Sequence, residues 1–326
     1  MANRLLILCT LILIASSASA QEKDVPITKK VLLLIHNPVI EAEGKKLNVL
    51  FHWKDPDSLA RVCIEDIKEC SGGFVNFVIA ERIEIDEWPA KVDGYQCDDS
   101  TFLTQWRGRR EFHQPDGVDY HLLLKKYDII RKIDGGDIDE VWDMAFPYGG
   151  YWESMMMGKN AIFCNSDPDT TVESRRMFVF MGFNFERGVG EMLEDFGHRA
   201  ESILRHVYGG WEINEENDWN KFTLYDKEAP GKAQCGNVHF APNSVTDYDW
   251  ANKTVVESYC DDWLSYPKMT GQKKKVDCTE WGCNIRAHHK WWFTHFPKAP
   301  GKKNGIFNNW WKYVMDYDAA MDRRLR

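Results

Sequence analysis

The chain is short of recognisable signatures, and each absence removes a class of chemistry. No GxSxG elbow occurs, so a serine nucleophile of the α/β-hydrolase kind is not expected. Neither HExxH nor its inverse occurs, and no two cysteines stand in a CxxC spacing, which leaves out the common zinc-protease helix and the zinc knuckle. The first apolar run is not followed by a glycine-rich phosphate loop of the P-loop or dinucleotide type. After residue 20 no stretch approaches the ~18 consecutive apolar residues of a membrane-spanning helix, so membrane insertion is not expected. Positive charge is also in deficit, 41 Lys and Arg against 50 Asp and Glu, and this acidic balance argues against a nucleic-acid partner. No internal repeat or low-complexity segment appears.

What is present begins with MANRLLILCTLILIASSASA, which pairs Arg4 with an apolar stretch and ends in Ala18-Ser19-Ala20, the pattern of a secretory signal peptide. Residues 21–326 are then expected to be exported as a single α/β domain. Cys9 leaves with the leader, and eight cysteines in an oxidising compartment predict disulfides. Cys278 and Cys283, flanking TEWG, are the best local pair. Cys63 and Cys70, if on one helix, would stand roughly 10 Å apart along its axis and need different partners.

Apolar runs alternate with helical spacing. KVLLLI (30–35) suits a buried strand, and DPDSLARVCIEDIKEC opens on an Asp55 cap before Pro56 and continues as a helix. VNFVIAERIEI is a second strand, DYHLLLKKYDIIRKI a helix ending at Gly135-Gly136, and DEVWDMAF a third strand; AIFC (161–164) and MFVFMG (177–182) would add two more. Residues 88–115 lack periodicity and form an excursion. The alternation predicts a mostly parallel sheet with helices on both faces, spanning about 28–208. Residues 209–326 form an irregular, aromatic, disulfide-tied C-terminal portion that closes over the sheet's carboxyl edge. This portion carries the sequon Asn252-Lys253-Thr254 and three of its histidines at 288, 289 and 295.

The longest helical pattern follows MFVFMG. Val189, Leu193, Phe196, Ala200, Ile203 and Val207 share one stripe at ~100° per residue. Glu191, Glu194, His198, Glu201 and Arg205 line the opposite side. That line is either the wet face of an ordinary amphipathic helix or a site. Gly190 and Gly197 on its edge each cost about 1 kcal/mol relative to alanine, which suggests that something approaches closely there.

The blocks YWES, GFNFERGVGEMLEDFGHRAES and GNVHFAPNSVTDYD, with NNWWKYV, resemble a family of secreted bacterial and fungal proteins of unassigned function, over residues 141–314. The resemblance supports the segmentation and implies no catalytic role.

Three functions follow from these residues. The first is an exported hydrolase of a polysaccharide or glycan that needs no cofactor. In it Glu186 or Glu153 is the general acid, Glu191 the base or nucleophile, and His198 a positioning neighbour. Tyr151 and Trp152 give a sugar platform, and Asn184, Arg187, His239 and Asn243 are binding residues. The second is a hydrolase or peptidase dependent on a divalent metal such as zinc, held by His198 and Glu201 with His239, or in its place one of His288, His289 and His295, completing the site. The third is a non-catalytic glycan-binding or surface protein that uses the same aromatics. The plainer role for His198 is an i, i+3 ion pair with Glu201 on a solvated helix face.

Overall fold

The computed structural model describes residues 24–209 and 217–321; the expected leader, residues 1–20, lies outside them. A five-stranded sheet forms the centre. Its strands are β1 (Ile27–His36), β2 (Val75–Ile85), β3 (Glu140–Ala145), β4 (Ser154–Met157) and β5 (Phe178–Asn184), arranged β2-β1-β3-β5-β4. Four strands are parallel, and β4 runs antiparallel on β5 with Ser154 opposite Met181. The last six residues of β1 and all of β3 are buried, as strands are when both faces of a parallel sheet are covered.

Helix α1 (Pro56–Cys70) starts where expected, with the Asp55 carboxylate accepting from Ser58 N at 2.8 Å and Pro56 in the first turn. The expected helix 119–133 divides at Asp128, whose φ of +53° turns the chain, into α2 (Tyr120–Lys126) and α3 (Ile129–Gly135). AIFC is not a strand. Ser154–Met157 already occupies the free edge of β5, so 161–164 is left as a loop, fastened by Ser154 Oγ donating to Cys164 O and Cys164 N donating to Ser166 O.

Helices α2 and α3 cover one face of the sheet through Leu123, Leu124, Ile129 and Ile133. Helix α1 and α4 (Val189–Val207) cover the other, with the expected stripe of α4 in the core. The C-terminal portion packs on the outer side of α4, led by α5 (Ile285–Thr294). The two glycines make this possible: a Cβ at Gly190 would lie 2.7 Å from Ile285 Cγ2, and one at Gly197 2.4 Å from Val238 Cγ2. What approaches α4 closely is therefore the rest of the chain, and the polar line of α4 is half-covered.

Arg199, on the same helix, is fully buried and holds Glu140 through two bonds of 3.1 Å. Cys278 and Cys283 form the expected disulfide. Cys63, Cys70, Cys164, Cys235 and Cys260 are buried thiols and Cys97 a half-buried one, so the expectation of a fully paired set gives way to one bridge among the described residues.

Candidate metal centre

The i, i+4 spacing of Glu194 and His198 sets both side chains on one face of α4. Across that face, over Gly197, runs the segment 236–240. Val238 N donates to Glu201 Oε1 at 3.1 Å, His289 on α5 contacts Gly190 O and Val238 O at 3.0 Å each, and Trp292 Nε1 donates to Gly236 O at 3.1 Å. Gly236 has φ +73°, and a Cβ there would sit 2.0 Å from Phe240 O, so only glycine permits this turn. The Asn237 side chain closes it, its Oδ1 accepting from His239 N and Phe240 N at 3.0 Å each. These anchors deliver His239 onto the polar line of α4.

There, His239 Nε2 lies 3.1 Å from Glu194 Oε1 and 3.1 Å from His198 Nε2, and His198 Nε2 lies 3.9 Å from Glu194 Oε1. Ligand atoms of a tetrahedral zinc site, with bonds of ~2.0–2.1 Å, stand about 3.3 Å apart. The triangle therefore has the dimensions of three corners of such a site. Each imidazole has a carboxylate at its other nitrogen: Glu201 Oε2 is 3.4 Å from His198 Nδ1, and Asp247 Oδ1 is 3.3 Å from His239 Nδ1. A carboxylate in that place favours the tautomer with the proton on Nδ1, which leaves the Nε2 lone pair facing inward. Two lone pairs and a carboxylate oxygen then face one another at contact distance, an arrangement that only a proton or a cation makes favourable.

The electrostatics agree. Burial pulls the His198 pKa down, but the Glu201, Glu153 and Glu194 carboxylates outweigh it and the net shift is upward. His239 is raised chiefly by its hydrogen bond to Glu194. Burial works against ionised Glu194, yet the hydrogen bond to His239 and the imidazole charges leave it lowered. Among the described residues Glu194 forms ion pairs with histidines alone. Glu153, at the start of β4, aims Oε2 at the same point, 3.9 Å from His198 Nε2, and that oxygen is buried without a hydrogen-bond partner. Burial, followed by repulsion from Glu194 against the attraction of His198, raises its pKa.

The other expected site residues are distributed differently. Glu191 is a helix cap, its Oε2 accepting from Gly188 N at 3.1 Å. Glu186 stands 3.7 Å from the exposed Arg187. No contact joins Glu186 to Glu191 among the described residues. Glu201 lies near the triangle but on the outer nitrogen of His198, so Glu194 takes the place expected of it. Asn243 is buried and staples its loop by donating to Asn252 O and Thr254 O at 2.9 and 2.7 Å. Tyr151 turns to the opposite face of the sheet, where its hydroxyl lies 3.1 Å from His36 Nδ1, itself 2.9 Å from Asp143 Oδ1. Trp152 is 53 % exposed beside Glu153. Asn184 spends its side-chain oxygen on Glu186 N and lines, with Trp152 and Tyr148, a pocket near the carboxyl ends of β3 and β5.

Sequence reasoning had no motif to single out Glu194 from its neighbours. The usable signal was its i, i+4 relation to His198 together with Gly197 between them, which marks the side of the helix that another segment touches. Searches of protein-family models, curated proteins and solved structures match the chain to none.

Proposed function

We propose that the protein is an exported hydrolase that works with one divalent metal ion, zinc being the best fit, held by Glu194, His198 and His239. The observation that carries this reading is the pair of inward-facing Nε2 atoms 3.1 Å apart, each imidazole with a carboxylate at its far nitrogen. When bound, such an ion polarises a substrate oxygen and lowers the pKa of a bound water.

The chain's own groups have separable tasks. Glu201 and Asp247 orient the imidazoles, and Glu201 also pins the His239 segment through Val238 N. Glu153 is the general base. Its orphaned Oε2, 3.9 Å from His198 Nε2, is aimed at the meeting point and has no competing hydrogen-bond partner. The exposed indole of Trp152, in the pocket it shares with Tyr148 and Asn184, offers a flat apolar face of the kind that sugar rings lie on, which favours a glycan among possible substrates. Carboxylate-only chemistry through Glu186 and Glu191 is less well supported, because Glu191 is engaged as a cap.

The test uses a panel of glycan and peptide substrates with wild-type protein. Chelator-treated protein should be inert and should recover on addition of zinc. Turnover that persists undiminished after the ion is removed overturns the reading.

A further inference from the structure

Residues 247 and 248 both address His239, from opposite sides of the ring. Asp247 Oδ1 lies 3.3 Å from Nδ1, and the Tyr248 hydroxyl lies 3.3 Å from Nε2. Neighbouring side chains on an extended strand point to opposite faces and would not both reach one imidazole. They do so here because Tyr248 has φ +59°, in the left-handed region that a bulky aromatic residue seldom occupies. The turn is pinned at both ends. Tyr248 N donates to His239 O at 3.2 Å, and the Asp249 carboxylate accepts from Val245 N at 3.2 Å and from Asn252 Nδ2 at 2.8 Å. Backbone strain of this kind costs on the order of 1–3 kcal/mol and persists where the surroundings over-determine it, commonly at ligand sites.

The hydroxyl therefore lies 3.3 Å from His239 Nε2, one of the three donors, at about the ligand-to-ligand spacing of a tetrahedral site, and within reach of the Glu194 carboxylate. We infer that Tyr248 is the fourth donor of the metal centre, completing a set of two imidazole nitrogens, one carboxylate oxygen and one phenol oxygen. This inference rests on the metal reading of the site and adds a residue and a geometry to it. A set with nitrogen and oxygen donors and no thiolate suits zinc, copper or iron rather than a soft ion. On coordination the phenol O–H breaks, the oxygen's electron pair goes to the metal, and the proton leaves to solvent.

The donor is also exchangeable. Glu194 and His198 sit on a buried helix and His239 on a segment clamped by Glu201 and His289, whereas Tyr248 is 52 % exposed and approaches from the solvent side. Rotation of its side chain would open one coordination position and leave the other three donors in place. A catalytic zinc site needs such a position, and a site closed by four fixed ligands lacks it. Glu153, 3.9 Å from His198 Nε2, then remains outside the coordination sphere and free to act as a base.

The test needs no substrate. Copper(II) is titrated into chelator-treated protein and the visible spectrum followed, because a phenolate bound to copper(II) gives a charge-transfer band that imidazole and carboxylate donors do not. Wild-type protein should bind one equivalent and develop the band, with phenolate vibrations enhanced in its resonance Raman spectrum. Tyr248→Phe should still bind one equivalent, about 10–100-fold more weakly, with no band. One tightly bound copper in wild-type protein without phenolate vibrations overturns the role of Tyr248 and leaves the three-residue site standing. A Tyr248→Phe spectrum identical to wild type does the same. Failure of wild-type protein to bind copper or zinc at all overturns the metal reading itself and this inference with it.

Discussion

Among the described residues two clusters bring three potential metal donors within 4.8 Å of one another, Glu194 with His198 and His239, and Cys260 with Asp261 and His295. They differ in what supplies positive charge. In the second, Lys274 Nζ lies 3.1 Å from Asp261 Oδ2 and 2.5 Å from Glu280 Oε1, so an ammonium already fills the cation's place. Asp261 is accordingly held down to about 2, by His295 first and Lys274 next. In the first cluster no lysine or arginine makes an ion pair with Glu153 or Glu194 among the described residues, and both imidazoles are oriented by carboxylates. Proximity of donors is common to both. A deficit of cationic charge at their meeting point belongs to one.

The largest expected effect comes from the base. Glu153→Gln should retain the ion and lose about 10²–10⁴-fold in rate on any substrate that wild-type protein turns over. Steady-state kinetics with parallel metal analysis checks this, and near-wild-type rates would move the base elsewhere. Asp247→Asn keeps the shape beside His239 Nδ1 but removes the charge, and should weaken zinc binding about 10–100-fold by competition titration. The matching change at the other cluster, His295→Ala, should leave the ion content per chain as it was; loss of an ion there would erase the distinction between the two clusters. Gly197→Ala drives a Cβ into Val238 and should cost about 1–3 kcal/mol in urea unfolding, with zinc affinity falling alongside because the His239 segment is displaced.

The smallest effect is one of pH. His288 is fully buried against Trp250, Trp281 and Trp291 with His289 as its titratable neighbour, and burial, then the His289 charge, holds its pKa well below 6.5. The folded state keeps this imidazole neutral while the unfolded chain takes up a proton below 6.5, so its contribution is complete above that pH and declines as the pH falls through it. Urea midpoints for His288→Phe should fall less between pH 7.5 and 5.5 than those of wild type.

The parts that could be read in the sequence were those fixed by local rules. The β1 and β5 runs, the Asp55-Pro56 helix start, the α4 stripe and the Cys278–Cys283 bridge each depend on spacing within one segment. AIFC misled because its apolar character does not say which segment claims the edge of β5. Glu191 misled because a carboxylate in the first helical turn serves equally as a cap or as a catalyst, and the Gly188 N–H that decides the matter is backbone. His198 and His239 were singled out, but their meeting depends on a 41-residue separation in sequence closed by Gly197, Glu201 and His289. No periodicity encodes that closure.

The central claim is that this meeting point holds an ion, and metal content decides it most directly. Protein purified without chelator, then exchanged into metal-free buffer and given one round of zinc loading, is analysed by mass spectrometry of the elements for wild type and for His239→Ala at equal folded concentration. The account predicts one zinc per wild-type chain and about a hundredfold or greater loss of affinity in the variant. Wild-type protein that retains no zinc, or a His239→Ala protein that retains it undiminished, would contradict the account.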